Sequence, residues 1–330
     1  MSNAVEMNSD HGDVDRLLRT AGPRPRPPAE MEDEVRAAIH AEWLRVVAAR
    51  RRRRFRQVAI AAGLGAVALA VWLLNQAPPQ TVVVASIERT IGGGTVHTAQ
   101  SKVAPFTVQQ ELHAGDILST GAAGSVSIRM QDVSVRLDRD SSVQLTSVEE
   151  LRITSGALYV DSGLGQDVPS LLLVRTPAGV VEHLGTQYEV RLLDSGTRIR
   201  VREGRIQFSA PRGGRIVGEA GTQLTILADG EVHSESVARS GDDWAWVGRV
   251  VPSFAIDNRP LPEFLRWAGH ELGQEVVFAT PASQAEAASI RLRGSIEGLT
   301  PDAALAAVLS TTRLSSTQKN GQIVIELPTT

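Results

Sequence analysis

Hydrophobic and polar positions follow four different rhythms along this chain. Over residues 30–56 apolar side chains recur three and four apart, at Val35, Ile39, Trp43 and Val46 or Val47. That spacing gathers them on one stripe of an amphipathic helix. Glu30, Glu32, Asp33 and Glu34 stand at its N-terminal end and arginines at its other end, as the helix dipole prefers. Val58–Leu74 is then apolar without interruption for 17 residues. Lengthened by Gln57 and Asn75, at about 1.5 Å per residue, this run nearly matches a hydrocarbon core of about 30 Å. The pattern predicts a single transmembrane helix over 57–75.

From Thr81 to about residue 240 the rhythm shortens to alternation. Ser125–Met130, Val133–Leu137, Leu151–Thr154, Ala157–Val160, Leu171–Arg175, Gln187–Leu192, Arg198–Val201 and Gln223–Leu227 read as strands separated by glycine-bearing turns. An all-β sandwich, barrel or β-roll is expected over 81–240, with Tyr188, Val190 and Leu192 facing its core. Residues 241–252 form a bridge in which Trp244 and Trp246 should anchor one domain on the next. Helical spacing then returns at Leu261, Phe264, Leu265, Ala268 and Leu272, and Gly273 stops it. Strands are expected at Glu275–Ala279 and Ile290–Gly294, and a second helix begins at Thr300-Pro301-Asp302. A hairpin around Lys319-Asn320-Gly321 closes the chain. Residues 253–328 thus read as a small α+β (βαβ–βαβ) module. The expected fold class is mainly β: a cytoplasmic helix, one transmembrane helix, an all-β domain and this module.

Charge sharpens the picture near the apolar run. Residues 1–56 hold 12 arginines against 9 acidic residues, whereas residues 57–330 carry a net charge of −6. Arg50, Arg51, Arg52, Arg53, Arg54 and Arg56 directly precede the run, and the next positive charge is Arg89. The positive-inside rule then predicts a cytoplasmic N-terminus and a periplasmic C-terminus. Anionic headgroups would attract the same arginines, so they point to the inner membrane and not to nucleic acid. Residues 1–30 are polar, with Pro23, Pro25, Pro27 and Pro28 close together, and read as extended or disordered.

Cysteine is absent, which excludes disulfides, thiolate metal sites and cysteine nucleophiles. The seven histidines show no metal-ligand spacing and read as ordinary surface or core residues. No phosphate loop, zinc motif or serine-nucleophile elbow is present, so neither a cofactor nor an enzymatic activity is expected.

Several ordered motifs in the β-rich region carry a family resemblance. They are Gly115-Asp116-Ile117-Leu118-Ser119-Thr120-Gly121, Ser134-Val135-Arg136-Leu137-Asp138, Ser155-Gly156-Ala157-Leu158-Tyr159-Val160-Asp161, Val174-Arg175-Thr176-Pro177-Ala178-Gly179, Leu184-Gly185-Thr186-Gln187-Tyr188-Glu189-Val190 and Val201-Arg202-Glu203-Gly204-Arg205-Ile206. Together they resemble the FecR domain of FecR-type anti-sigma regulators. Leu265-Arg266-Trp267-Ala268 and Ile296–Leu305 resemble the short N-terminal domain of secretins and TonB-dependent receptors.

The resemblance implies a signal transducer with two partners. One is an extracytoplasmic-function sigma factor, docked on the stripe Val35, Ile39, Trp43 and Val46. The other is the signalling domain of a TonB-dependent outer-membrane receptor. It also implies possible self-cleavage at Gly185-Thr186, where the Thr186 hydroxyl attacks the preceding carbonyl in an N–O acyl shift. A turn leading into the strand Gln187–Leu192 is the simpler reading of the same pair. A membrane-anchored envelope scaffold without transcriptional output is the alternative function.

Overall fold

The computed structural model describes residues 16–17, 19–20, 31, 33–43, 45, 69–70, 82–163, 171–211 and 213–328. The chain divides into two units, Met1–Gln80 and Thr81–Thr330. In the first unit, residues 33–43 are helical and exposed. Arg36 lies 3.9 Å from Asp33 and Arg45 lies 3.2 Å from Glu42, the spacing at which helix side chains meet. Val35, Ile39 and Trp43 are each more than half exposed, and His40 stacks on Trp43 at 6.0 Å.

One expectation is corrected here. No helix among the described residues is long and apolar enough to cross a membrane. Of 57–75 only Leu69 and Ala70 are described, both helical and exposed. The rest of that segment, Val46, and the six arginines from Arg50 to Arg56 lie outside the described residues. The apolar run of 17 residues stands at the lower end of the range for a span, and its Gly63 and Gly65 are poor helix formers, so apolar length alone did not establish the helix. The fold class is therefore mainly β with an appended α/β module, with no transmembrane helix among its described elements.

The second unit opens with sixteen strands. They are β1 (Val83–Ile91), β2 (Gly94–His97), β3 (Val103–Pro105), β4 (Glu111–His113), β5 (Ile117–Thr120), β6 (Ser125–Met130), β7 (Val133–Leu137) and β8 (Ser142–Ser147). There follow β9 (Glu150–Ser155), β10 (Ala157–Asp161), β11 (Leu173–Thr176), β12 (Gly179–Leu193), β13 (Gly196–Ser209), β14 (Arg215–Glu219), β15 (Thr222–Leu227) and β16 (Val232–Ser236). All belong to one sheet, ordered β3-β2-β5-β8-β9-β11-β12-β10-β7-β6-β1-β4, with β13 to β16 branching from β12. The sheet curls so that side chains from both ends of this order, such as Val96, Leu112, Val143, Tyr188 and Ile226, share one apolar core. Each fully buried valine, leucine or isoleucine there contributes about 1.5–3 kcal/mol.

The long hairpin β12/β13 organises the sheet. The first part of β12 pairs with β11 and its second part with β10. Across the hairpin, β13 pairs with β15 through Gly196–Arg200 and with β14 through Arg205–Ser209. The changeover on β12 falls at Leu184–Gln187, where the pairing register also shifts. Such a bulge bends a strand and raises its twist, which lets one hairpin serve two branches of the sheet.

The C-terminal module comprises α1 (Ala245–Arg249), α2 (Leu261–Leu272), β17 (Glu275–Phe278), α3 (Pro281–Ser289), α4 (Pro301–Ser310), β18 (Ser315–Lys319) and β19 (Gln322–Glu326). The small sheet runs β17-β19-β18, parallel then antiparallel. Phe264, Leu265, Ala268, Leu305, Leu309, Ile323 and Ile325 close a core separate from that of the large sheet. Two details differ from the sequence pattern. Ile290–Gly294 is not a strand, and only Arg291 makes an isolated bridge, to Pro260. Helix α3 was not legible, because Pro281–Ser289 is short, alanine-rich and without an apolar stripe. It is set instead by Pro281 at its start and by a capping box between Thr280 and Ser283.

Candidate functional site

Strict alternation gives β7, β10, β12 and β13 two unlike faces. Val135, Leu137, Leu158, Val160, Tyr188, Val190, Ile199 and Val201 point into the apolar core. The intervening residues line up across the strands in two rows: Arg136, Tyr159, Glu189 and Arg200, then Ser134, Asp161, Gln187 and Glu203. An outward face of this kind normally meets water. Here Arg136, Tyr159, Asp161, Gln187 and Glu189 are all buried. The cover is the bridge with α1 and the last turn of α2.

Two tryptophans hold the bridge. Trp244 and Trp246 both pack edge-on to Tyr159, at 6.1 and 6.5 Å between ring centroids. Trp246 Nε1 donates to Glu189 Oε2 at 3.1 Å, and Trp244 Nε1 donates to the Ala238 carbonyl at 2.9 Å. The Arg191 and Arg202 guanidinium groups lie over the Trp246 and Trp244 rings, an arrangement favourable to a cation. Glu189 also accepts from Arg191 and Arg198, at 3.0 and 2.9 Å.

Helix α2 completes the seam with His270, Glu271 and its glycine stop. Arg136 donates to both Glu271 carboxylate oxygens, at 2.7 and 2.9 Å, in the forked geometry that suits guanidinium and carboxylate. His270 Nε2 lies 2.9 Å from Asp161 Oδ1, and His270 Nδ1 lies 3.7 Å from Glu203 Oε2. The Gln187 amide donates to the His270 carbonyl at 3.2 Å and to Asp161 Oδ2 at 3.3 Å. Arg202 Nη1 donates to the Glu271 carbonyl at 2.9 Å. Gly273 is left-handed, and a side chain there would strike the Arg202 guanidinium and the Arg239 carbonyl. Glycine is therefore required twice over, as helix stop and as contact surface.

The electrostatics follow from burial against pairing. Burial alone would push the Asp161 carboxyl up, but the His270 hydrogen bond, the His270 and Arg136 charges and the Gly163 N–H hold it well below the usual carboxylate range. Burial would push the His270 imidazolium down, but Asp161, Glu271 and Glu203 outweigh it and hold it above the ordinary histidine value. Burial pushes the Tyr159 hydroxyl up, so it stays neutral.

Gly185-Thr186 sits at the β12 bulge, beside this seam. Gly185 is left-handed, and its carbonyl and the Thr186 methyl face left-handed Gly204, where a side chain would collide with both. Thr186 is buried, and its hydroxyl has no hydrogen-bond partner. Its backbone N–H donates to Ser162 Oγ at 2.8 Å, and Ser162 N–H donates to the Thr186 carbonyl at 3.2 Å. The flanking residues Ser162 and Gln187 thus connect Thr186 to Asp161 and His270. A groove of about 870 Å³ opens next to the seam, lined by Glu203, Arg239, Arg266, His270, Val276 and Phe278 among others.

The sequence singled out Gly185 and Thr186 but not Arg136, Asp161, Glu189, His270 or Glu271. Arg136, Asp161 and Glu189 did stand inside the quoted motifs. Their position as charges alternating with buried apolar residues on neighbouring strands was the available signal. The docking stripe on residues 33–43 belongs to the other unit and is described apart from this site. No group of residues suited to hold a metal ion occurs among the described residues.

These features define a β-rich domain with an appended α/β module and a built connection between them. Residues 116–207 match the family model described as FecR protein. The FecR resemblance drawn from the motifs is thus borne out, and the matched stretch runs from Asp116 through the Gly185-Thr186 bulge to Gln207. That match supports an anti-sigma regulator role. Two crystal structures, each of a candidate anti-sigma factor from Parabacteroides distasonis ATCC 8503, at 2.50 and 1.65 Å, are similar at 16% and 15% identity. Each comparison covers 64% of this chain and 99% of the other, with a TM-score of 0.35. No curated protein matches the chain.

Proposed function

We propose that this chain is an anti-sigma regulator whose helix over residues 33–43 binds an extracytoplasmic-function sigma factor. The observation that carries the reading is the FecR match over residues 116–207. The exposed stripe of Val35, Ile39 and Trp43 supports it, since an isolated helix cannot bury its own apolar face. Helix-in-groove recognition uses anchors at this spacing. A pull-down with residues 1–56 as bait tests it. A captured sigma factor should be lost about thirtyfold in affinity on Trp43→Ala, as for an aromatic anchor of about 2 kcal/mol. Arg51→Ala should matter far less. Equal losses would point to nonspecific charge, and no captured sigma factor would contradict the reading.

The second unit, on this proposal, receives its signal from the signalling domain of a TonB-dependent outer-membrane receptor. Strand β17 has one unpaired edge and borders the groove beside the seam, which suits strand addition. The compartments belong to the same proposal: N-terminal residues in the cytoplasm and the β-rich unit in the periplasm, at the inner membrane. A periplasm-dependent reporter should be active when fused after Ala77 and silent after Arg56. The reverse pattern would overturn this arrangement.

Self-cleavage at Gly185-Thr186 completes the proposal. Thr186 Oγ bonds to the Gly185 carbonyl carbon as the C–N bond breaks, and the hydroxyl proton passes to the departing nitrogen. Water then hydrolyses the ester, freeing a new Thr186 N-terminus. The unpartnered buried hydroxyl and the glycine on the acyl side favour this step. Thr186→Ala should abolish cleavage and Thr186→Ser should retain some. A wild-type chain that stays whole on a denaturing gel would sink it.

A further inference from the structure

The seam and the bulge are joined by two short connections, and nothing in the proposed function requires them. Asp161 and Ser162 are consecutive: the first binds His270, and the second holds the Thr186 backbone through three hydrogen bonds. Thr186 and Gln187 are consecutive as well, and the Gln187 amide donates to the His270 carbonyl and to Asp161. One residue of the C-terminal module therefore meets both segments that flank the bulge. On the β13 side the register breaks between Leu184 and Tyr188, so residues 185–186 are left to the β10 side, where Asp161 pairs with Gln187 and Ser162 reaches Thr186. The unusual backbone at residues 185–186 is held from the side.

The surfaces that meet at the seam can also separate. The bridge packs through an apolar cluster of Tyr159, Trp244, Trp246 and Val247, whereas the contacts made by α2 through His270 and Glu271 are polar or ionic. Parting α2 alone exposes charges that water solvates while the bridge cluster and both domain cores stay packed. His270 additionally lines the open groove, together with Glu203 and Arg266.

We propose that His270 is a latch: the docked module holds the Gly185-Thr186 bulge ordered through Asp161–Ser162 and Gln187, and undocking releases it. In its consequence for cleavage this rests on the acyl-shift reading above. In its structural content it does not.

Hydrogen exchange on the full chain, wild type against His270→Ala, tests it. Amides in peptides covering residues 184–190 should exchange about tenfold faster in the variant. Those of Val126–Ile128 and Ile323–Ile325, in the two cores, should keep their wild-type rates. Unchanged exchange over 184–190 overturns the latch, whether or not α2 has loosened. Should His270→Ala lose protection in both cores, Glu203→Gln decides. Glu203 is half exposed, and its substitution removes only the carboxylate charge 3.7 Å from His270 Nδ1, leaving Asp161 and Glu271 in place. Faster exchange over 184–190 then supports the latch, and none overturns it. Cleavage scored in the same samples separates the two ideas. A wild-type chain that is never cut removes the acyl shift and leaves the latch standing. Cleavage with unaltered exchange does the opposite.

Discussion

On one side of β7, β10, β12 and β13, Val135, Leu158, Tyr188 and Val201 are sealed from water by other apolar groups. On the other side Arg136, Asp161, Glu189 and Arg202 are sealed just as completely by α1, α2 and two tryptophans. The same strands, in the same register, carry both. Apolar burial is non-directional and tolerates small rearrangements. A buried ion pair is stabilising only while its geometry holds, because each charge has given up its water. The inner face thus makes the domain fold, whereas the outer face makes one docking geometry far better than its neighbours.

The comparison breaks most easily at Arg136. Arg136→Ala strands Glu271 in a buried site, at a cost of about 3–5 kcal/mol. Leu158→Ala, one residue from Tyr159 but on the inner face, should cost a similar 2–5 kcal/mol through its cavity. The sites of damage should differ. In hydrogen exchange Arg136→Ala should loosen α2 while sparing β6, and Leu158→Ala should loosen the large sheet. Identical exchange maps would show that the two faces do the same job.

The seam should also titrate, and the inner face should not. His270 is raised in the folded state, so its contribution is complete below the ordinary histidine value and is lost as pH rises through the raised one. Asp161 is depressed, so its contribution is present above the ordinary carboxylate range and is lost as pH falls through the lowered value. Seam stability is therefore greatest between those limits. Denaturant midpoints measured from pH 4 to 9 (a range of about five units around the ordinary histidine value) should fall on the alkaline side in wild type. That slope should vanish in His270→Ala.

The smallest effect is expected at the bridge. Trp246→Phe keeps an aromatic ring against Tyr159 and removes only the N–H donated to Glu189. Arg191 and Arg198 still hold that carboxylate, so the loss should be about 1.5 kcal/mol by chemical denaturation. A loss as large as that of Arg136→Ala would mean that the bridge, and not the α2 ion pairs, holds the module.

Much of the fold was written in local pattern. The stripe Leu261, Phe264, Leu265 and Ala268 and the stop at Gly273 give α2, and Asn320-Gly321 gives the last turn, where both residues are left-handed. Alternation gave β6, β7, β9 to β13 and β15 of the large sheet, whereas β1 to β5, β8, β14 and β16 were not singled out. The seam was not legible for the same reason that the strands were. Arg136, Asp161 and Glu189 occupy the polar positions of an alternating pattern, which ordinarily means solvent. What covers them lies more than 50 residues away in the chain, at Trp246, His270 and Glu271. His270 lies off the apolar stripe of its helix and has no metal-ligand spacing, so nothing local distinguishes it from an ordinary residue. Gly185-Thr186 was visible through its motif, but only the structure shows that β12 changes neighbours there. Apolar length alone, without a described helix, misdirected the reading of 57–75.

The most direct measurement is a double-mutant cycle on Arg136 and Glu271, using Arg136→Met, Glu271→Leu and the pair, with stability read from chemical denaturation. If the outer face holds by pairing, each single change costs about 3–5 kcal/mol and the pair costs far less than their sum, a coupling of about 2 kcal/mol or more. If the two single losses simply add, Arg136 and Glu271 act independently, and the seam is not the ionic dock described.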